Sequence, residues 1–255
     1  GRPKMNDFEN DELTRVDREL LKKKYSGEEL ERVLKKIDDD YPVQYAIGNV
    51  DFLGYEIDVD ERVLIPRFET ELLVDKLIEY MKKYSFGESH ILDVCTGSGC
   101  IAIAIKKSRP MDKVIAIDKS EMALQCAKEN SIKHGVDIEF ILKDVLEENL
   151  FDNKLDVLIS NPPYVRIDEK VSSNTRYEPQ MALYPGEDEI IFYKKIIASS
   201  KTIMKNKSIL AFEIGSSQGN EVVNLAKESY PRAKVNLEKD YAGRDRFVFI
   251  FNNCE

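Results

Sequence analysis

The sequence predicts an α/β fold: a doubly wound, mostly parallel seven-stranded sheet with an antiparallel C-terminal hairpin, preceded by a small N-terminal helical lobe and a linking β-hairpin. Three observations carry this. Beyond Gly87, short apolar runs alternate with helical ones, the pattern of a parallel sheet covered on both faces. A glycine loop, Cys95-Thr96-Gly97-Ser98-Gly99, joins the first of those strands to the first helix. The last two strands, near residues 235–237 and 247–251, have only a short link between them, so they should pair antiparallel.

Residues 1–40 form the predicted helical lobe. Leu13, Val16, Leu20 and Leu21 recur at helical spacing over 7–24, and Leu30, Val33, Leu34 and Ile37 do so in a second helix. Ser26-Gly27-Glu28-Glu29 has the form of a capping box for that helix. Gly1-Arg2-Pro3-Lys4, ahead of Met5, reads as a remnant of a cleaved fusion and stays outside the fold argument. Residues 41–66 are read as a linker, with two alternating strands over 50–59 turning at Leu53-Gly54.

The main domain is assigned to residues 67–255. It opens on a helix carrying Leu72, Leu73, Leu77, Ile78 and Met81, introduced by Pro66 and Arg67. Arg67, Glu69 and Thr70 either introduce that helix or line a pocket. Strands follow at 90–94, 113–117, 138–142, 155–160 and 209–213, with helices over 100–107, from Ser120 to about His134, and over 190–204 and 219–229. The polar stretch from Tyr164 to Glu189 is too long for a mere connection, which suggests a lid or a substrate-facing segment.

With 42% hydrophobic and 33% charged residues, the chain has the composition of an ordinary soluble globular protein. A net charge of −9 argues against direct nucleic-acid binding over a broad surface and favours a protein partner or small substrate. Cys95, Cys100, Cys126 and Cys254 lack zinc-site spacing, and with only His90 and His134 beside them no metal cluster can be written. Reduced thiols in a cytoplasmic protein are the simplest account, and neither a bilayer-spanning run nor a signal peptide is read.

Two stretches carry chemistry. Gly97-Ser98-Gly99-Cys100-Ile101-Ala102 fits the Gly-x-Gly-x-x-Ala nucleotide fingerprint, and Asp118 follows at the distance where an acidic side chain binds ribose hydroxyls. A nicotinamide dinucleotide and S-adenosylmethionine both present such a ribose, so the fingerprint leaves the cofactor open. Asn161-Pro162-Pro163-Tyr164 follows the apolar strand 155–160, and its prolines forbid further ladder pairing. It therefore sits at a strand's carboxyl end, where open α/β sheets bind ligands. There the Asn161 carbonyl oxygen and the Pro162 backbone carbonyl can accept both hydrogens of a planar NH2 group, while Tyr164 offers a face for stacking. A polar turn would use the same residue types.

In motif order, the sequence resembles the HemK/PrmC family of protein glutamine methyltransferases, within the Rossmann-like class I S-adenosylmethionine-dependent methyltransferases. The resemblance rests on Pro42-Val43-Gln44-Tyr45 with Gly48, Leu64-Ile65-Pro66-Arg67-Phe68-Glu69-Thr70-Glu71 and Asp93-Val94-Cys95-Thr96-Gly97-Ser98-Gly99. It continues through Asn161-Pro162-Pro163-Tyr164, Tyr177-Glu178-Pro179, Glu213-Ile214-Gly215, and Asp240 with Gly243 and Arg246. Family members usually carry a longer helical N-terminal domain, and commonly a glycine at the position of Glu189.

The resemblance implies methylation of the glutamine side-chain amide in the Gly-Gly-Gln loop of peptide chain release factors, the proteins of translation termination. It implies S-adenosylmethionine held by Cys95, Thr96, Gly97, Ser98 and Gly99, with Asp118 at the ribose and Asp144 and Val145 around adenine. Asn161 would border both cofactor and substrate; Asn161, Pro162 and Tyr164 would be catalytic, and Pro163 would complete the substrate-binding turn. An adenine amino methyltransferase needs the same pair of acceptors, and a non-catalytic nucleotide-binding module needs only the glycine loop.

Overall fold

A computed structural model describes residues 13–147, 154–164, 177–179 and 188–255. Its centre is a seven-stranded sheet in the order β5-β4-β3-β6-β7-β9-β8. The strands are β3 (His90–Val94), β4 (Lys113–Asp118), β5 (Glu139–Leu142), β6 (Leu155–Ser160), β7 (Met204–Glu213), β8 (Lys234–Lys239) and β9 (Asp245–Asn252). Pairing is parallel from β5 through to β7, while β9 inserts antiparallel between β7 and β8.

The chain builds β3, β4 and β5 outward on one side, then returns to lay β6 against the other side of β3. Between β3 and β6 the winding reverses, and ligands bind beyond the carboxyl ends of strands at such a reversal. Val94 and Ser160 are register partners there, and the Ser160 hydroxyl donates to the Val94 carbonyl at 2.7 Å. The two loops that leave β3 and β6 thus start side by side.

Both faces of the sheet are covered, which is why its strands read as nearly continuous apolar runs. Ile91, Val157, Ile159, Ile209, Phe247 and Phe249 pack on the face shared with α4 (Phe68–Lys83), α5 (Cys100–Ser108) and α6 (Glu121–Lys133). Leu92, Val94, Leu158, Leu210, Phe212 and Val248 face the opposite way, with α7 (Ile191–Ile203) and α8 (Gly219–Ser229). Ser120 caps α6 by accepting from the Ala123 N–H at 3.1 Å.

The linking hairpin forms from β1 (Asn49–Phe52) and β2 (Tyr55–Asp58), and Leu53 and Gly54 make its two-residue turn with φ values of 51° and 84°. Positive φ at both positions suits the right-handed strand twist, although it strains a leucine. Glu71 compensates by accepting the Leu53 N–H at 2.8 Å, which ties the turn to α4. Farther along, the buried Asn130 of α6 accepts from the Asp58 N–H at 2.8 Å and donates to the carbonyls of Asp58 and Ser98, each at 3.0 Å. One side chain therefore fixes the hairpin to the glycine loop.

The N-terminal region differs from its sequence reading at the start of its second helix and in the linker. Helix α1 (Arg15–Lys24) begins where Thr14 accepts the Asp17 N–H at 3.1 Å, and the earlier start predicted for it lies outside the described residues. Helix α2 (Gly27–Asp38) starts after Ser26, yet the Ser26 side chain makes no capping bond. Gly27, the first residue of that helix, takes a φ of 55°, in the left-handed region rather than the helical one. The linker also contains an unforeseen short helix, α3 (Val43–Ile47), opened by Pro42 and closed by Gly48 in the left-handed region at φ 94°. Most of the predicted lid, residues 165–176 and 180–187, lies outside the described residues.

Candidate active site

The glycine loop leaves β3 through Cys95 and is knitted by its own backbone. The Thr96 N–H donates to the Ile117 carbonyl at 3.0 Å, and the Gly99 N–H to the Thr96 carbonyl at 2.9 Å. Asp118, at the end of β4, accepts the Gly97 N–H on one carboxylate oxygen and the Ser120 N–H on the other, both at 2.9 Å. Each oxygen keeps a further lone pair for a ligand hydroxyl. Burial raises the Asp118 carboxyl above the ordinary Asp range.

The two loop glycines do different work. Gly97, at φ 55°, has nothing within 4 Å of where a Cβ would stand, so it leaves an open cradle. Gly99, at φ 85°, would bring a Cβ to 3.1 Å from Ala127 Cβ and 3.3 Å from its Cα. Its absent side chain lets α5 start close against α6. Beside the loop, Cys95, Asp118, Lys143, Asp144, Val145 and Phe192 border a narrow cleft of about 20 Å³. This cleft gathers the predicted ribose and adenine positions at the carboxyl ends of β4 and β5. A wider hollow of about 590 Å³, between Tyr41, Asp60, Arg62 and Met122, contains none of the predicted site residues.

Beneath the loop, Asp93 is fully buried, with Oδ2 accepting from the Thr96 hydroxyl at 2.6 Å and Oδ1 lacking a hydrogen-bond partner. Burial pushes its carboxyl up to about 7. Burial likewise pushes the Cys100 and Cys126 thiols up to about 12, so neither supplies a thiolate near neutral pH. Among the described residues, no cluster of three or more His, Cys, Asp or Glu side chains could hold a metal ion. Among them, too, no helix is long and apolar enough to cross a membrane.

Asn161, Pro162, Pro163 and Tyr164 leave β6 at the reversal, as the sequence predicts. Asn161 donates through Nδ2 to the Thr70 hydroxyl oxygen at 3.3 Å, while its Oδ1 is buried without a partner. An orphaned buried acceptor is costly unless a ligand completes it. Thr70 donates in turn to Glu213 Oε1 at 2.7 Å, and Tyr164 donates to Glu213 Oε2 at 2.5 Å. Arg246, fully buried, reaches the Tyr164 hydroxyl at 3.4 Å and Asp240 Oδ2 at 3.1 Å.

Of the three side chains suggested as pocket lining, Thr70 joins Asn161 directly. Arg67 instead donates to Glu178 at 2.6 Å and to the Ile65 carbonyl at 2.8 Å, while Glu178 also accepts the Ile65 N–H at 3.0 Å. Glu69 is half-buried in the first turn of α4. The individual roles of Asp93, Glu213 and Arg246 were missed. A charged residue closing an apolar strand, as Glu213 closes Ile209 to Phe212, is the sequence signal that could have exposed one of them.

Comparison with known proteins gives these features a family. Residues 68–178 match the model of the methyltransferase small domain. The release factor glutamine methyltransferase of Flavobacterium psychrophilum is 41% identical over 225 residues, covering 86% of this chain and 79% of the relative. The enzyme of the same name from Thermodesulfovibrio yellowstonii is 39% identical over 247 residues, covering 95% of this chain and 84% of the relative. In fold, the chain is similar to the crystal structure of a ribosomal protein L11 methylase from Lactobacillus delbrueckii subsp. bulgaricus. That match has a TM-score of 0.55 and 19% identity, and covers 77% of this chain and 83% of the other. The order of its strands, the asparagine-proline turn at their reversal and this degree of identity agree: the chain belongs to the release factor glutamine methyltransferase family.

Proposed function

We propose that this methyltransferase uses Asn161 and Pro162 to present the glutamine amide of the Gly-Gly-Gln loop of a peptide chain release factor for N-methylation. The observation that carries this reading is the buried, unpartnered Oδ1 of Asn161 at the carboxyl end of β6. With the Pro162 carbonyl, it forms a pair of acceptors suited to the two hydrogens of an amide NH2.

Family membership implies S-adenosylmethionine as methyl donor, and the residues present fit it. Gly97 provides open space, Asp118 keeps acceptor capacity for ribose hydroxyls, and Asp144 and Val145 border the adjoining cleft. The bound cofactor supplies an electrophilic methyl group on a sulfonium. Cys95, Thr96, Gly97, Ser98 and Gly99 shape the cradle in which it is held.

An amide nitrogen is a poor nucleophile because its lone pair is delocalised into the carbonyl. Asn161 Oδ1 and the Pro162 carbonyl favour the positive charge that builds on the nitrogen during attack, so they stabilise the transition state electrostatically. Tyr164 holds the amide plane by stacking, Pro163 shapes the turn, and the ordered site supplies proximity. The attacking nitrogen becomes acidic as its new bond forms, and its proton passes to solvent water, no side chain being assigned as base. Acting on release factors, the enzyme works in the cytoplasm.

The test is transfer of labelled methyl from S-adenosylmethionine to a purified release factor, beside its loop Gln→Asn variant and duplex DNA. Labelling that requires the loop glutamine supports the proposal. Labelling of DNA alone moves the assignment to an adenine amino methyltransferase, and labelling of neither leaves the binding-module reading.

A further inference from the structure

An asparagine amide can present its oxygen or its NH2 to a substrate, and the two orientations recognise opposite chemistry. In this site the choice is made by neighbours. Glu213 is fully buried, and as a carboxylate it accepts hydrogen bonds without donating any. The Thr70 hydroxyl, 2.7 Å from Oε1, and the Tyr164 hydroxyl, 2.5 Å from Oε2, therefore both turn their protons toward it. Arg246, against the same Tyr164 hydroxyl at 3.4 Å, supplies positive charge on that side of the network.

A threonine hydroxyl has one proton. Once Thr70 has given it to Glu213, the oxygen can only accept from Asn161, 3.3 Å away, so Asn161 must turn Nδ2 toward Thr70. Its oxygen is then the atom left facing the site, and that is the atom found buried without a partner.

We infer that Glu213, acting through the Thr70 hydroxyl, is the positioning residue that fixes the Asn161 amide with its oxygen toward the substrate, and thereby selects an amide NH2 over a carboxylate. This rests on the proposed glutamine substrate and deepens it into a basis for rejecting glutamate. An ionised glutamate brings oxygen against oxygen, whereas a glutamine NH2 completes the orphaned acceptor. Sites built on such hydrogen bonds discriminate by factors of about 10⁴ to 10⁵ when the partner is wrong.

Glu213→Gln supplies an NH2 that can donate to Thr70 and release the hydroxyl proton toward Asn161, which then flips. Thr70→Val removes the relay atom while leaving Tyr164 bonded to Glu213. Thr70→Ser keeps the hydroxyl. These three and the wild type are compared for kcat and KM with a release factor, for Kd with its loop Gln→Glu variant, for S-adenosylhomocysteine affinity, and for thermal midpoint.

Glu213→Gln and Thr70→Val are expected to lower kcat about 10²-fold or more, as for loss of one oriented transition-state group. The wild-type preference for the Gln loop over the Glu loop should narrow at least about tenfold, with S-adenosylhomocysteine affinity changed less than about threefold; these bounds follow from loss of a single directed hydrogen bond. Thr70→Ser should restore most of the turnover lost in Thr70→Val. An unchanged loop preference in both Glu213→Gln and Thr70→Val overturns the inference, as does a Thr70→Ser variant no better than Thr70→Val. A parallel loss of cofactor-product affinity would make Glu213 a fold residue only. If Glu213→Gln fails to fold, the Thr70 pair decides the question alone. Lack of methyl transfer by the wild type would instead overturn the glutamine-substrate reading beneath it.

Discussion

Tyr164 donates its hydroxyl proton to Glu213 Oε2 at 2.5 Å, so the ring that ends the asparagine-proline turn is fixed at its far end by a buried carboxylate. Its near edge lies beside Gly215, where an added Cβ would come to 3.3 Å from Tyr164 Cδ2. Tyr164→Phe keeps the ring and its glycine contact but loses a hydrogen bond to a charged group, worth about 1.5–3 kcal/mol. Turnover should fall roughly ten- to a hundredfold by the same figure, with Tyr164→Ala lower still because the stacking face is gone. Steady-state kinetics on a release factor check this, and equal losses in the two variants would remove the ring from the mechanism.

Asn161→Ala removes the acceptor without touching the glycine loop. The expected result is a fall in kcat of about 10²–10³, typical of losing one transition-state electrostatic contact. Affinity for S-adenosylhomocysteine, measured by calorimetry, should change far less. Equal losses in both quantities would mean that Asn161 serves the cofactor rather than the amide.

Gly97→Ala and Gly99→Ala should fail differently although both glycines occupy the left-handed region. Gly99→Ala adds a collision with Ala127, 3.1 Å from the new methyl, to its backbone strain. Together these predict a loss of roughly 2–4 kcal/mol, combining left-handed strain with overpacking. Gly97→Ala meets open space, so it should cost only the strain, about 1–2 kcal/mol, while its methyl intrudes on the cradle. Thermal unfolding beside S-adenosylhomocysteine binding separates the two: Gly99→Ala should lose mainly stability, and Gly97→Ala mainly affinity.

Legibility followed the range of each interaction. The alternation of runs after Gly87 and the short link before β9 made the sheet readable, because burial on both faces and antiparallel return leave local traces. Asn161 was readable because two prolines end a strand. What orients it was not: Thr70 lies 91 residues from Asn161, and Glu213 lies 49 from Tyr164, so they meet only when α4 and β7 pack together. Ser26 shows the opposite failure: its local motif is intact, yet its side chain makes no capping bond, and the neighbouring Gly27 takes a φ of 55°. The apolar positions of α2 were read correctly as a stripe, yet none of its residues is buried among the described residues.

Asp93 links stability to pH through the base of the glycine loop. Burial raises its carboxyl to about 7 from the ordinary 3.8, and the Thr96 hydroxyl on Oδ2 only partly offsets that cost. The folded protein therefore holds this proton more tightly than the unfolded chain does. The protonated form carries no charge penalty below about pH 4, stability falls as pH rises from there to about 7, and the loss levels off above. Between pH 5 and pH 8 the fall attributable to this one group should be about 2–3 kcal/mol, because each pH unit over which only the folded chain keeps the proton costs about 1.36 kcal/mol. Asp93→Asn cannot ionise and should show a smaller loss over that interval, measured as urea midpoints at both pH values. Comparing the slopes, rather than absolute stabilities, keeps the unpaired amide of the variant from obscuring the result. An identical slope in the wild type and Asp93→Asn would show that the buried carboxyl does not titrate there, and that the loop above it is not held at the expense of a proton.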